Sequence, residues 1–170
     1  MTELFDELVA FTRENEAYVG PVVFAIAFAE SLVLVSLFVP STVLFLAIGA
    51  AHGASGGAFV PVWIAGTLGA FLGDVVSFIV GRYLRQDVAK VWPFASYPRL
   101  LARSRLAFAR YGAATIVTGK FLGNLRPFLP VAAGALRMRW TTFLVASLIS
   151  CITWAGVFLA PGYGLMLAFQ

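Results

Sequence analysis

The chain has 170 residues, 61% of them hydrophobic and 12% charged, with a mean hydropathy of +0.91. One domain's length with so little charge excludes a soluble globular core and describes an all-α integral membrane protein. The net charge of +4 comes from basic residues clustered beside apolar runs, so anionic lipid headgroups, and not nucleic acid, are the expected partner.

Residues 1–16 (MTELFDELVAFTRENE) carry five acids and one arginine, the opposite of the basic start of a removable signal peptide. Leu4, Phe5, Leu8 and Phe11 recur at helical spacing. The stretch reads either as an amphipathic helix at the membrane interface or as a solvated terminus. Residues 17–39 are long enough to span a bilayer, yet they contain Glu30 and stop at Pro40. The apolar run that follows, 41–51, supplies roughly 16 Å of helix at 1.5 Å per residue, about half a hydrocarbon core. Two arrangements fit these lengths. In one, 17–51 is a re-entrant hairpin that turns at a tip of Pro40, Ser41 and Thr42 and leaves on the side it entered. In the other, two full helices follow each other and the second is distorted.

The segment HGASGG (52–57) reads as a flexible, uncharged loop holding the one histidine, His52, and 58–81 as a transmembrane helix. Within that helix Gly69, Gly73, Ser77 and Gly81 recur every four residues, a face on which another helix can pack closely, in the same chain or in a homodimer. Asp74 lies next to this face and points into the bundle or toward water. Between Arg82 and Arg110 seven basic residues face one acid, Asp87, and Trp92, Pro93, Tyr97 and Pro98 divide the segment into short interfacial pieces. The positive-inside rule makes this linker, 82–112, cytoplasmic.

The runs 113–125 and 131–136 are each too short to span, and Arg126, Pro127 and Pro130 lie between them. Each proline removes a backbone donor and obstructs a continuous helix, so the chain is expected to bend there. Irregular backbone at membrane depth survives only where protein or a water-filled cavity covers it. Residues 113–136 therefore read as a second re-entrant hairpin, with Pro127 and Pro130 at its tip. Arg137 and Arg139 return the chain to the basic side, and 141–160 is a second full span. Pro161, Gly162, Tyr163 and Gly164 are expected to end it, leaving an apolar tail on or in the membrane. The single Cys151 reads as a packing residue, and no metal-ligand spacing or cofactor motif occurs.

Hairpin plus span, linker, hairpin plus span is the plan of an inverted repeat with its site where broken helices meet near the midplane. The two hairpins would enter from opposite faces, tips toward each other. Four ionisable residues fall at membrane depth: Glu30, Asp74, Lys120 and Arg126. Each costs about 2.5–3.5 kcal/mol at a helix centre on insertion scales, so they must pair or be hydrated. Two readings follow. The charges are fixed salt bridges, or Arg126 and Lys120 hold an anionic headgroup while Glu30 and Asp74 neutralise them in the empty site or take up a proton.

At these residues the chain resembles the DedA family of membrane proteins, also called SNARE-associated or VTT-domain proteins. The motifs are FAESLVLVSLFVPSTVLFLAIGAAHG at 28–53, LGDVVSFIVGR at 72–82 and GKFLGNLRPFLPVAAGALRM at 119–138. WPFASYP at 92–98 and WAGVFLAPGYG at 154–164 look like the DedA domain that some bacterial proteins carry ahead of a lipid-phosphatase membrane domain, which would begin where this chain stops. The resemblance implies a multi-pass protein of the bacterial inner membrane that moves lipids between leaflets, such as undecaprenyl phosphate or a phospholipid, with dependence on the proton-motive force. It also implies that Glu30 is the acid of the first hairpin and Arg126 an essential arginine, with Lys120 in the place of a second one. Thr42 stands where many members have an acid, which favours a passive or differently coupled translocator.

Three functions are thus set against one another: a lipid translocase, a proton-coupled transporter of small solutes or ions, and a non-transporting assembly factor that docks through its glycine face and basic linker. An enzyme is disfavoured, because no histidine, nucleophile or metal set accompanies Lys120 and Arg126 in the sequence.

Overall fold

The computed structural model describes residue 7, residue 10 and residues 14–32, 41–90, 94–121 and 126–168. The tip residue Pro40 lies outside the described residues, as does most of the stretch 1–16 read as an amphipathic helix, of which Glu7 and Ala10 are helical. Seven α-helices are described: α1 Glu16–Ser31, α2 Ser41–Ala54, α3 Phe59–Leu84, α4 Pro98–Tyr111, α5 Ala114–Gly119, α6 Phe128–Ala135 and α7 Trp140–Ala168. Two 3-10 turns, Arg85–Lys90 and Phe94–Ser96, lie between α3 and α4.

Helix α3, and α7 over Trp140–Gly164, are long and apolar enough to cross a membrane, with mean hydropathies of 1.8 and 2.2. At 1.5 Å per residue α3 is about 39 Å long. The two run antiparallel, since Phe78 stacks on Phe143 while Gly66 sits by Ala155. Helix α1 runs parallel to α3, with Phe24 against Gly69 and Phe28 against Gly73. Helix α2 runs parallel to α7, with Gly49 against Leu159 and Gly53 against Tyr163. It follows that α1 and α2 are antiparallel to each other.

The glycines explain these approaches. A Cβ on Gly81 would lie 2.0 Å from the Val131 carbonyl oxygen, and one on Gly134 would lie 2.1 Å from that of Phe78. Helix α6 therefore crosses α3 backbone to backbone. Gly69 and Gly73 do the same for α1, and Ser77 Oγ, next on that face, donates to the Ser31 carbonyl at 3.0 Å. The apolar core has two parts. One gathers Phe78, Phe128, Val131 and Phe143; the other gathers Val23, Phe45, Trp154 and Leu159.

Several sequence expectations need correction. Pro161, Gly162, Tyr163 and Gly164 do not end the last helix, which runs on to Ala168. Proline inside an apolar helix is tolerated when neighbours fix the surrounding backbone. Here Gly162 lets the Leu46 carbonyl of α2 approach, and Tyr163 Oη donates to the Gly57 carbonyl at 2.8 Å. His52 does not stand on a loop: it lies in the last turn of α2, buried, with Nε2 3.0 Å from the Ala58 carbonyl oxygen. Gly53 is not in a loop either: it lies within α2 and serves the contact with Tyr163. Termination falls to Ser55, whose hydroxyl binds the His52 carbonyl, and to Gly56 at φ 79°.

Pro98 starts a helix instead of breaking one, so 98–111 is a single amphipathic element with Leu101, Ser104 and Phe108 buried. Pro130 is likewise no break. It occupies the first turn of α6, where its missing N–H has no intrahelical partner to lose. Helix α1 ends at Ser31, with Leu32 extended, earlier than the run 17–39 suggests.

Candidate functional site

Asp74 faces inward from the middle of α3 and is 4% exposed. One of its oxygens, Oδ2, takes three donors: Lys120 Nζ at 2.5 Å, Ser147 Oγ at 2.8 Å and Cys151 Sγ at 3.5 Å. Lys120, 5% exposed, follows the end of α5, and its ammonium also donates to Cys151 Sγ at 2.8 Å. The short helix is held to α7 by Ser150, whose hydroxyl donates to the Ile116 carbonyl at 3.1 Å.

Arg126 stands just ahead of α6, with Pro127 in helical conformation behind it at φ −71°. Its Nη1 pairs with the carboxylate of Glu30 on the last turn of α1. The negative end of the α1 dipole lies there too, so the arginine answers two sources of negative potential. The guanidinium carbon lies 3.9 Å from the centroid of the Trp154 ring, a desolvated cation–π contact. Trp154 is held edge-on by Phe45, with centroids 4.8 Å apart. Arg126 Nε and Nη2 are buried without a hydrogen-bond partner among the described residues.

The two pairs meet at one void. Asp74, Lys120 and Arg126 line it with Ile116, Leu129 and Pro130, and its volume of about 10 Å³ has room for about one water. The four charges sum to zero and are each nine-tenths or more buried. Of the residues marked from the sequence, the structure brings Glu30, Asp74, Lys120, Arg126 and Pro130 to this centre. Gly69, Gly73 and Ser77 draw α1, and with it Glu30, onto α3; Gly81 seats α6 behind Arg126. Ser41 and Thr42 open α2.

Sequence reasoning missed Ser147, Cys151 and Trp154. Their spacing of four and three residues puts them on one face of α7, and a polar or aromatic stripe on an otherwise apolar helix was the available signal.

Apolar helices long enough to cross a bilayer, closed around two charge-balanced ion pairs, define a membrane protein with a buried polar centre. Residues 39–164 match the model of the VTT domain, and the chain belongs to that family, the DedA proteins. It is 33% identical over 153 residues to the inner membrane protein YabI of Escherichia coli (strain K12), covering 89% of this chain and 60% of that protein. It is 32% identical over 155 residues to an uncharacterized membrane protein of Buchnera aphidicola subsp. Acyrthosiphon pisum, covering 91% and 60%. The inner membrane protein YghB of Escherichia coli (strain K12) is 30% identical over 145 residues, covering 85% and 66%. The chain thus spans about 60% of the length of the first two relatives. No solved structure matches it.

Proposed function

We propose that this protein moves an anionic lipid, such as undecaprenyl phosphate or a phospholipid, between leaflets, with Arg126 and Lys120 holding the phosphate group. The observation that carries this reading is a buried guanidinium with two donors unmatched among the described residues, beside a lysine and a void. An unmade hydrogen bond to a buried charged group is costly, and an oxyanion supplies the missing acceptors. Glu30 and Asp74 compete with the phosphate for the same cations, so the ligand is released as easily as it is held. A displaced carboxylate is then hydrated or takes up a proton.

A void with room for about one water does not admit a headgroup, so this conformation is the occluded one and transport requires it to open. In this reading 17–51 and 113–136 are re-entrant hairpins of an inverted repeat, and the linker 82–112 is cytoplasmic. The antiparallel course of α1 and α2 supports the first hairpin. A groove of about 460 Å³ between α5 and α7, lined by Ala113, Val117, Val145 and Ile149, opens on the outer face of the helix that carries Ser147 and Cys151, and suits acyl tails. It favours a lipid over a small solute, which would be better served by a sealed wall.

The test is transfer of fluorescent polyprenyl phosphate or phosphatidylglycerol across vesicles containing purified protein, with and without a pH gradient. Arg126→Ala is expected to lower the rate at least tenfold, and Arg126→Lys less. Equal rates for wild type and a folded Arg126→Ala protein would overturn the reading.

A further inference from the structure

The end of α3 remote from His52 holds a second set of arginines that the buried centre does not use. Arg82 lies two turns beyond Asp74 and is half-buried, with Nη1 donating to the Met138 carbonyl at 3.0 Å. Its guanidinium carbon is 5.6 Å from the Trp140 ring centroid and 5.9 Å from that of Phe78. Beside it opens a groove of about 490 Å³ lined by Ile79, Arg82, Tyr83, Arg85, Asp87 and Trp140. Asp87 is already matched by Lys90, 2.8 Å away, so the groove's working charge is that of its two arginines. Arg85 ends α3 at φ 52°, a left-handed conformation uncommon outside glycine, and the chain turns sharply at the groove's edge.

The walls indicate what the arginines face. Tyr83, 87% exposed, and Trp140 are the amphipathic aromatics found at headgroup level in membrane proteins. Ile79 continues into the exposed apolar strip of Leu72 and Val76 on the same helix. A cationic floor with an aromatic rim and an apolar flank fits a phosphate group that carries hydrocarbon tails. One turn deeper, Phe78 is fully buried and stacks on Phe143 with centroids 4.0 Å apart, separating the groove from Asp74 and Ser147.

We infer that this groove is a separate binding site for the phosphate group of an anionic lipid, placed outside the Phe78–Phe143 stack as a station ahead of the buried centre. Its role as a station rests on the translocation reading; its binding does not.

Native mass spectrometry of the 170-residue chain in detergent, with dioleoyl phosphatidic acid and dioleoyl phosphatidylcholine offered together, tests it. The wild type is expected to retain phosphatidic acid several-fold over phosphatidylcholine. Arg82→Gln with Arg85→Gln loses that preference, and Arg85→Gln alone, a surface change that leaves the fold intact, loses part of it. Arg126→Ala keeps a preference through the intact groove, and Arg110→Gln, at an exposed arginine outside the groove, leaves the preference unchanged. Unchanged preference in both groove variants overturns the site, and so does loss of all preference in Arg126→Ala, since the buried centre would then be the sole binder. Displacement of phosphatidic acid by inorganic phosphate at matched concentration overturns the lipid assignment. If vesicle transport fails while the groove preference holds, the translocation reading falls and the groove stands.

Discussion

Asp74 Oδ2 accepts from an ammonium, a hydroxyl and a thiol at once, and this crowding sets what each substitution does. Asp74→Asn leaves the Lys120 ammonium buried without a counter-charge, which costs about 3–5 kcal/mol for a pair of this kind. Lys120→Met alone strands the carboxylate at a similar cost. The two together remove both charges and are expected to recover most of the loss, because no uncompensated charge is then left buried. Thermal unfolding of the four proteins in one detergent gives the coupling directly; simple additivity would mean the pair is not energetically linked. The four charges were legible in the sequence because ionisable groups at membrane depth are too costly to be incidental. Ser147 and Cys151 were legible only as positions on one face of a helix, and not as partners of Asp74. A serine and a cysteine in an apolar helix pass for packing residues until the fold turns them toward a carboxylate.

At the scale of the helices, glycine positions decide the packing, and they divide sharply. A Cβ at Gly134 would meet the Phe78 carbonyl oxygen at 2.1 Å and the Arg82 amide at 2.8 Å, both backbone atoms that cannot step aside. A Cβ at Gly156 meets nothing closer than Trp63 Nε1 at 3.6 Å. Gly134→Ala is therefore expected to lower the thermal midpoint markedly, by overpacking worth about 1–3 kcal/mol or more. Gly156→Ala leaves it unchanged or raises it, since alanine is the better helix former by about 1 kcal/mol. Melts monitored by circular dichroism compare them. The same contacts explain where local rules misled. The run 161–164 reads as a stop signal, and His52 with Gly53 reads as a loop, because proline and glycine usually punctuate chains. Here Gly49, Gly53 and Gly162 are instead the surfaces on which α2 and α7 lie together, a tertiary requirement that no window along the sequence contains. The long spans α3 and α7 were legible from run length alone.

For the whole molecule, the order of contacts is the telling quantity. Helix α1 follows α3, α2 follows α7, and α3 opposes α7, so the chain reverses between Ser31 and Ser41 and both arms finish at the His52 end. The opposite end of α3 carries Arg82, Arg85 and the basic helix α4. If α3 crosses the bilayer, the two ends lie on opposite surfaces, with the basic one cytoplasmic by the positive-inside rule. A membrane-impermeant maleimide is then expected to label Ser55→Cys in intact cells and Arg99→Cys only after permeabilisation. The native Cys151 stays silent because it is fully buried. Labelling of both sites from outside would overturn this orientation.

The guanidinium of Arg126 rests against the face of Trp154, which is buried. A positive charge that close perturbs the excited state of the ring. Any oxyanion that draws the arginine aside must therefore alter the ultraviolet emission of a native chromophore. Occupancy at the heart of the bundle is written in the protein's own light, and no dye needs to be attached to read it.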